Sequence, residues 1–182
     1  MEFALVGGLA VSVRTEPRFT RDADLAVAVA DDEAAEATIR HLLGRGFKLT
    51  ASLEQELTGR LATVRLIAPS PEDEGAVVDF LFASCGIEPE IVAGASVEEI
   101  VPDVTMPVAT IGHLIAMKSL SERPERFQDS VDLLALIQAS SADDLGVARK
   151  MLDLIAQRGA NRGKDLNATL DRYIQLAKTP EF

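Results

Sequence analysis

The sequence has little cysteine and histidine, the residue types that build many metal and redox sites. Its 182 residues include one cysteine, Cys85, and two histidines, His41 and His113. A single cysteine cannot form a disulfide within the chain, which favours a reducing compartment and predicts a cytoplasmic protein. The histidines have no ligand-like spacing, and no histidine pairing marks Cys85 as a nucleophile, so we expect all three to be structural.

Long hydrophobic runs are also missing. No apolar segment approaches the roughly 20 residues that a membrane-spanning helix needs, so we expect no membrane partner. We also expect no secretory signal, because Met1 leads almost directly into the first predicted strand. With 47% apolar and 26% charged residues, the composition is typical of a globular domain that buries a core.

The chain has few basic residues for its size. It carries 18 basic and 29 acidic residues, for a net charge of −11. Affinity for nucleic acid phosphates comes mainly from Lys and Arg, so this balance argues against diffuse nucleic acid binding.

The hydrophobic pattern predicts a mixed αβ body at 1–109, followed by a helical region at 110–182. Strands are predicted at 3–6, 23–29, 62–68, 76–83 and 104–108. Helices are predicted at 9–14, 33–43, 96–100, 111–121, 127–139, 143–157 and 164–178. The segment 47–57 is ambiguous, and 104–108 is expected in a small β-ribbon lying over the sheet.

Two short motifs near the start point to phosphate and metal chemistry. Gly7-Gly8 ends an apolar run and opens a predicted helix, where backbone N–H groups can approach a phosphate closely. Asp22 and Asp24 open the second strand and project to the same side of it. Two like charges at the edge of a core need compensation, and carboxylates are ligands that Mg²⁺ prefers.

A third carboxylate interrupts a later apolar strand. Asp79 lies within AVVDFLFA at 76–83, so it either faces solvent from a sheet edge or belongs to a polar site. We favour the polar site, because Asp22 and Asp24 already need a third partner. Asp22, Asp24 and Asp79 are therefore the candidate metal ligands.

These motifs, in this order, resemble the polymerase-β-like nucleotidyltransferase superfamily. Its signature is Gly-[Gly/Ser], a spacer, Asp-x-Asp in a strand and a third carboxylate on a neighbouring strand. A lysine ending one helix and an Asp-x-x-Asp-Leu opening the next are similar to the AbiEii/AbiGii (MenT-like) type of nucleotidyltransferase toxin. Here these are Lys118, Asp129 and Asp132-Leu133, and the resemblance covers about 3–136.

The resemblance implies an α+β fold, with a mixed sheet flanked by helices and a C-terminal helical extension. It also implies two-metal phosphoryl transfer, with two Mg²⁺ ions (or Mn²⁺) held by the three aspartates. Gly7 and Gly8 would hold the β- and γ-phosphates, Lys118 would neutralise triphosphate charge, and Asp129 would orient Lys118.

The expected nucleotide site also includes arginines of the loop after the first predicted helix. The sequence departs from the family pattern at two positions. Arg14, Arg18 or Arg21 would add phosphate contacts, with Arg14 and Arg21 our named candidates. Gly8 stands where many family members carry Ser, and Gln128 where a basic residue is common.

Three hypotheses for the function remain open at this point. The first is a nucleotidyltransferase that uses an NTP to modify RNA, most plausibly a tRNA 3′ end, as a toxin paired with an antitoxin. The second changes the acceptor to a small molecule such as an aminoglycoside, or to a protein side chain. The third is a domain that binds a nucleotide or a partner without turnover. A basic groove leading to Asp79 would favour RNA, and an acidic one a cationic small molecule.

Overall fold

A mixed seven-stranded sheet lies at the centre of the protein. The computed structural model describes residues 1–55, 59–71 and 75–178. In these ranges the strands are β1 (Glu2–Val6), β2 (Asp22–Ala28), β3 (Lys48–Glu54), β4 (Leu61–Ile67), β5 (Val77–Leu81), β6 (Ser96–Val101) and β7 (Val104–Val108). Their order across the sheet is β3-β4-β5-β2-β1-β7-β6. The β2–β5 and β1–β7 pairs are parallel and the other pairs antiparallel. The predicted α+β class with a mixed sheet is confirmed.

Helices cover both faces of this sheet. In the described ranges they are α1 (Gly7–Arg14), α2 (Asp32–Gly44), α3 (Glu88–Gly94), α4 (Ile111–Ser121), α5 (Phe127–Ala139), α6 (Ala142–Gln157) and α7 (Leu166–Lys178). A small core forms between α2 and the sheet, around Ile39, Leu66 and Phe80. A larger core lies on the opposite face, where α1, α3 and the four C-terminal helices pack.

The central strand β1 explains why the first motif lies deep in the molecule. Its last three residues, Ala4, Leu5 and Val6, are at most 1% exposed. The chain leaves this strand and enters α1 at once, at Gly7, with no connecting loop. Burial of the apolar run therefore fixes the paired glycines at the end of a central strand.

The C-terminal helices share the larger core with the sheet. Leu114 and Ile115 of α4 and Leu133 of α5 are buried in the same cluster as Leu5 and Val108 of the sheet. The division predicted between 109 and 110 falls just after β7, and the core is continuous across it. The last four residues of the predicted helical region, 179–182, lie outside the described residues.

Two predictions of local structure were wrong. The segment predicted as a helix at 96–100 is strand β6, which pairs antiparallel with β7. The resulting β6–β7 ribbon does not lie over the sheet, because β7 pairs with β1 and extends the sheet edge. The ambiguous segment at 47–57 forms β3 in its described part, with 56–58 outside the described residues. Helix α3 forms within a segment, 84–95, for which no helix or strand was predicted.

Helix ends agree better with the sequence. Helices α4 and α5 have the predicted bounds. A capping box starts α6, with Ser141 and Asp144 each accepting a hydrogen bond from the other's backbone N–H. No helix in the described ranges is long and apolar enough to cross a membrane.

Candidate active site

The paired glycines and the second aspartate of Asp22-Ala23-Asp24 meet at the end of β1. In the antiparallel β1–β2 ladder, Val6 lies opposite Asp24. Gly7 has φ +64°, and a Cβ atom there would overlap the Asp24 carboxylate. A Cβ on Gly8 would come within 2.6 Å of an Arg18 Nη atom and 3.1 Å of the Thr20 hydroxyl. Position 7 therefore requires glycine for two reasons. Its backbone lies in the left-handed region, and the Asp24 carboxylate lies against it.

The third predicted aspartate lies beside the second. Strands β2 and β5 are parallel neighbours, and Asp24 and Asp79 are partners in register. Asp22 is two residues from Asp24 on the same strand face. Burial, together with the negative charges of Asp79 and Asp22, raises the pKa of Asp24 to about 6. This site has more negative charge than its surroundings neutralise.

Sequence reasoning missed Arg65, which is the principal partner of these carboxylates. It lies opposite Asp79 in the antiparallel β4–β5 ladder. Its Nε and Nη2 atoms donate to the two Asp79 oxygens at 2.8 and 2.6 Å, and Nη2 also donates to Asp22 at 3.1 Å. The signal was present, because Arg65 interrupts the apolar strand ATVRLIA as Asp79 interrupts AVVDFLFA.

A second charged cluster joins α4 and α5 across the cleft. Lys118 at the end of α4 contacts Asp129 and Asp132 of α5, with both Nζ–Oδ distances 2.7 Å. Asp132, the second aspartate of the Asp-x-x-Asp-Leu motif, is 1% exposed. It also accepts two hydrogen bonds from the Arg18 guanidinium, at 2.8 and 2.7 Å, and one from Gln128 at 2.9 Å.

The Asp132 carboxylate of this cluster is held in its charged form. Burial alone would raise the pKa of Asp132, but the hydrogen bonds from Arg18, Lys118 and Gln128 outweigh it and lower that pKa below its ordinary value. Lys118 and Asp129 are eleven positions apart in the chain, and the short connection between α4 and α5 brings the predicted pair together.

The structure separates the loop arginines that sequence reasoning treated alike. Arg14, a candidate phosphate ligand, lies outside the cleft, because its guanidinium donates to the Val108 and Ala109 carbonyls and to Glu98 at 2.7–2.9 Å. Those bonds fasten α1 to the β6–β7 ribbon and place Arg14 away from the other predicted site residues. Arg21 and Arg18 line the cleft.

One cleft of about 640 Å³ contains nearly all of these groups. Its walls include Gly7, Gly8 and the three aspartates, with Lys118 and Asp129 on the helical side. The charged residues that line it number six basic and five acidic: Arg18, Arg21, Arg65, Lys118, Arg126, Arg162, Asp22, Asp24, Asp79, Glu125 and Asp129. In a chain of net charge −11, this cleft is locally the more basic region. Its volume lies in the usual range of small-molecule sites.

The remaining predicted structural residues fit their expected places. Cys85 is buried and lies at the wall of the cleft, where burial raises the pKa of its thiol. A thiol of raised pKa is a poor nucleophile. His113 is buried with its ring nitrogen 2.8 Å from the Thr110 hydroxyl, and burial lowers its pKa.

The carboxylates fit one divalent cation better than two. Asp22 and Asp24 share a strand face, and burial, followed by the negative charges of Asp79 and Asp22, raises the pKa of Asp24; a cation bound there would favour its ionised form. Both oxygens of Asp79 already accept hydrogen bonds from Arg65. Across the described ranges, no three acidic, histidine or cysteine side chains are grouped closely enough to hold a metal ion.

A mixed sheet with paired glycines facing two aspartates of a neighbouring strand defines a nucleotidyltransferase-like α+β protein. The family model described as nucleotidyl transferase AbiEii toxin, type IV toxin–antitoxin system, matches residues 1–181. The chain therefore belongs to the AbiEii nucleotidyltransferase toxin family, and the resemblance deduced from its motifs is confirmed. Membership of that family implies a nucleotide substrate and a cognate antitoxin.

One solved structure supports the fold. A nucleotidyltransferase-like antigenic protein from Paracoccidioides brasiliensis is similar with a TM-score of 0.52 at 14% identity, covering 93% of this chain and 84% of that one. MenT4, a nucleotidyltransferase toxin from Mycobacterium tuberculosis H37Rv, aligns over 98% of this chain and 85% of its own at 12% identity, with a TM-score of 0.38. No curated protein sequence matches the chain.

Proposed function

We propose that this protein is a metal-dependent nucleotidyltransferase that moves a nucleotide from an NTP to an RNA, with a tRNA 3′ end as the acceptor. In this proposal it acts in the cytoplasm as the toxin of a toxin–antitoxin pair. The observation that carries the proposal is the contact between the Gly7 backbone and the Asp24 carboxylate at the start of α1. It joins a phosphate-binding backbone to a metal-binding carboxylate in one cleft.

In this proposal the residues of the cleft have separate roles in binding the metal ion and the triphosphate. Asp22 and Asp24 would hold Mg²⁺, or Mn²⁺ in its place, and the ion would supply positive charge to the triphosphate when bound. The backbone at Gly7 and Gly8 takes the β- and γ-phosphates, assisted by Arg21. Lys118 neutralises further phosphate charge from the helical side.

Asp129 and Asp132 act on the substrate only through Lys118. Their two carboxylates hold its ammonium at 2.7 Å each. A long flexible side chain positioned in this way loses less conformational entropy when it meets a phosphate, so the pair preorganises the site.

The transfer itself needs no covalent enzyme intermediate. The oxygen of the acceptor hydroxyl forms a bond to the α-phosphorus. The bond between that phosphorus and the oxygen bridging to the β-phosphate breaks, pyrophosphate leaves with both electrons of this bond, and the hydroxyl proton passes to water. Positioning and electrostatic stabilisation supply the catalysis, as is usual in phosphoryl transfer.

Two exposed aromatic rings favour RNA over the other acceptors. Phe127 at the start of α5 lines the cleft and is 76% exposed, and Phe19 is 82% exposed next to Arg18 and Thr20 of the cleft wall. Exposed aromatic rings next to basic side chains are typical of sites that stack unpaired bases, each stacked base contributing about 1–3 kcal/mol. The six basic residues of the cleft provide the accompanying phosphate contacts.

The proposal is tested by incubating the protein with total tRNA, Mg²⁺ and each α-labelled NTP in turn. The Asp22→Ala/Asp24→Ala variant removes the metal ligands, and Asp143→Ala serves as the matched control, because it is an exposed aspartate on α6. We expect label on tRNA with the wild type and the control and none with the double variant or with EDTA.

Other results would redirect or overturn the proposal. If triphosphate binds with Mg²⁺ but no label reaches tRNA, RNA is not the acceptor, and aminoglycosides and proteins are tested in its place. If neither binding nor transfer occurs, the protein is a partner-binding domain and the site interpretation is wrong.

A further inference from the structure

The most specific contact in the cleft is one that the metal-ligand pattern does not anticipate. Arg65 and Asp79 form a two-pronged ion pair, with Nε and Nη2 on one side and both carboxylate oxygens on the other, at 2.8 and 2.6 Å. Planar guanidinium and carboxylate groups match in this geometry, and such pairs are the strong form of the ion pair. Asp79 thus has both oxygens engaged before any ligand enters.

The sheet register produces this pair. Five residues of β4 pair with five of β5, from Thr63–Leu81 to Ile67–Val77, and Arg65 stands directly opposite Asp79. Directly opposed side chains on an antiparallel ladder start about 5 Å apart at Cβ, so the pair forms with little search of conformations. A third hydrogen bond, from Nη2 to Asp22 at 3.1 Å, holds the guanidinium over the carboxylates.

Arg65 also remains accessible to a ligand. Its side chain is 46% exposed, whereas that of Asp79 is 13% exposed. Among the described residues, none accepts a hydrogen bond from Nη1, which is free to meet a phosphate or acceptor oxygen. The hydrogen bonds that its guanidinium donates to Asp79 raise the pKa of Arg65 further, so the guanidinium stays charged.

The charge balance agrees with this arrangement. Asp22, Asp24 and Asp79 carry three negative charges and Arg65 one positive charge. The remaining two negative charges are matched by one divalent ion, whereas a second ion would compete with Arg65 for the same Asp79 oxygens.

From these contacts we infer that Asp79 is a positioning residue for Arg65 and not a ligand of a second metal ion. The site takes one divalent cation at Asp22 and Asp24, and the Arg65 guanidinium occupies the position of the second metal ion. This inference rests on the proposed function and replaces the two-ion site predicted from the sequence pattern.

The experiment measures Mn²⁺ binding and spectra on the full chain, with the α,β-methylene triphosphate of each ribonucleoside present to block transfer. Two ions bridged by shared carboxylates lie about 3.5–4 Å apart, so their electron paramagnetic resonance spectra are coupled. We expect one protein-bound Mn²⁺ with an uncoupled spectrum in the wild type and in Asp79→Asn. Asp24→Asn should weaken that binding at least about tenfold, or about 1.4 kcal/mol.

A double-mutant cycle provides the second readout. If Asp79 acts only through Arg65, then Arg65→Met, Asp79→Asn and the double variant should reduce the transfer rate by the same factor. Thermal melting of each variant checks the fold. Arg65→Met leaves Asp79 without a partner and should lower the melting temperature, and the double variant should recover part of that loss.

The outcomes separate this inference from the proposed function. A coupled pair of Mn²⁺ ions in the wild type, loss of an ion in Asp79→Asn, or additive losses in the cycle would each overturn the inference while nucleotide transfer still occurs. Absence of any protein-bound Mn²⁺ together with absence of transfer would overturn the proposed function as well.

Discussion

Replacing Asp24 with Asn should stabilise the protein while abolishing its activity. Burial, reinforced by Asp79 and Asp22, raises the pKa of Asp24 from 3.8 to about 6. Each unit of pKa shift corresponds to about 1.4 kcal/mol, so the ionised carboxylate costs the metal-free folded state about 3 kcal/mol above pH 6. Asn has nearly the same shape without the charge, so the variant escapes that cost.

The difference in stability between the wild type and Asp24→Asn should depend on pH. Between about pH 4 and 6 the folded state holds a proton on Asp24 that the unfolded state releases, so the stability of the wild type falls as pH rises through this window. The advantage of Asp24→Asn should therefore be nearly complete at pH 8 and small at pH 4.

The assay is chemical and thermal unfolding of both proteins in EDTA. For a chain of this length about 3 kcal/mol corresponds to a rise in melting temperature of about 5–10 °C at pH 8. Added Mg²⁺ should stabilise the wild type and leave Asp24→Asn unchanged. If the variant is less stable than the wild type at pH 8, or its advantage is the same at pH 4, the charge account of this site is refuted.

Three further predictions follow from single contacts. Asp132→Ala should cost about 3 kcal/mol of unfolding free energy, because the half-buried Arg18 guanidinium loses its carboxylate partner and Lys118 keeps only Asp129, and Asp132→Asn should recover part of it in the same denaturation assay. Arg21→Met should weaken NTP binding about tenfold by calorimetry, whereas Arg14→Met should lower stability and leave affinity unchanged; the reverse pattern would restore the sequence-based role of Arg14. Phe19→Ala and Phe127→Ala should leave the melting temperature unchanged and raise the KM for tRNA about tenfold, and an unchanged KM would remove the stacking argument.

The sequence predicted the groups of the site that are set by local pattern. Gly7-Gly8 and the two aspartates of β2 could be found because strand alternation and chain reversal depend only on neighbours. Asp79 stood out as a charge in an apolar strand. Arg65 could be identified in the same way, as a charge in an apolar strand. Pairing it with Asp79 required the β4–β5 register, which depends on how the whole sheet assembles.

The misplaced elements and side chains depended on distant partners. The segment SVEEIV suits a helix or a strand by composition, and pairing with β7 decides for the strand. Arg14 and Arg18 look equivalent in the loop sequence. Arg18 reaches Asp132, 114 residues away, and Arg14 reaches Val108 and Ala109 instead. Tertiary contacts of this range leave no local signal.

The most direct test of the central claim is to map the 3′ ends of tRNA after reaction with a single NTP and Mg²⁺. The account predicts tRNA lengthened by the added nucleotide, with pyrophosphate released in equal amount, and no product from Asp22→Ala/Asp24→Ala. Unchanged tRNA ends with the wild-type protein, under every NTP and with Mg²⁺ or Mn²⁺, would contradict it.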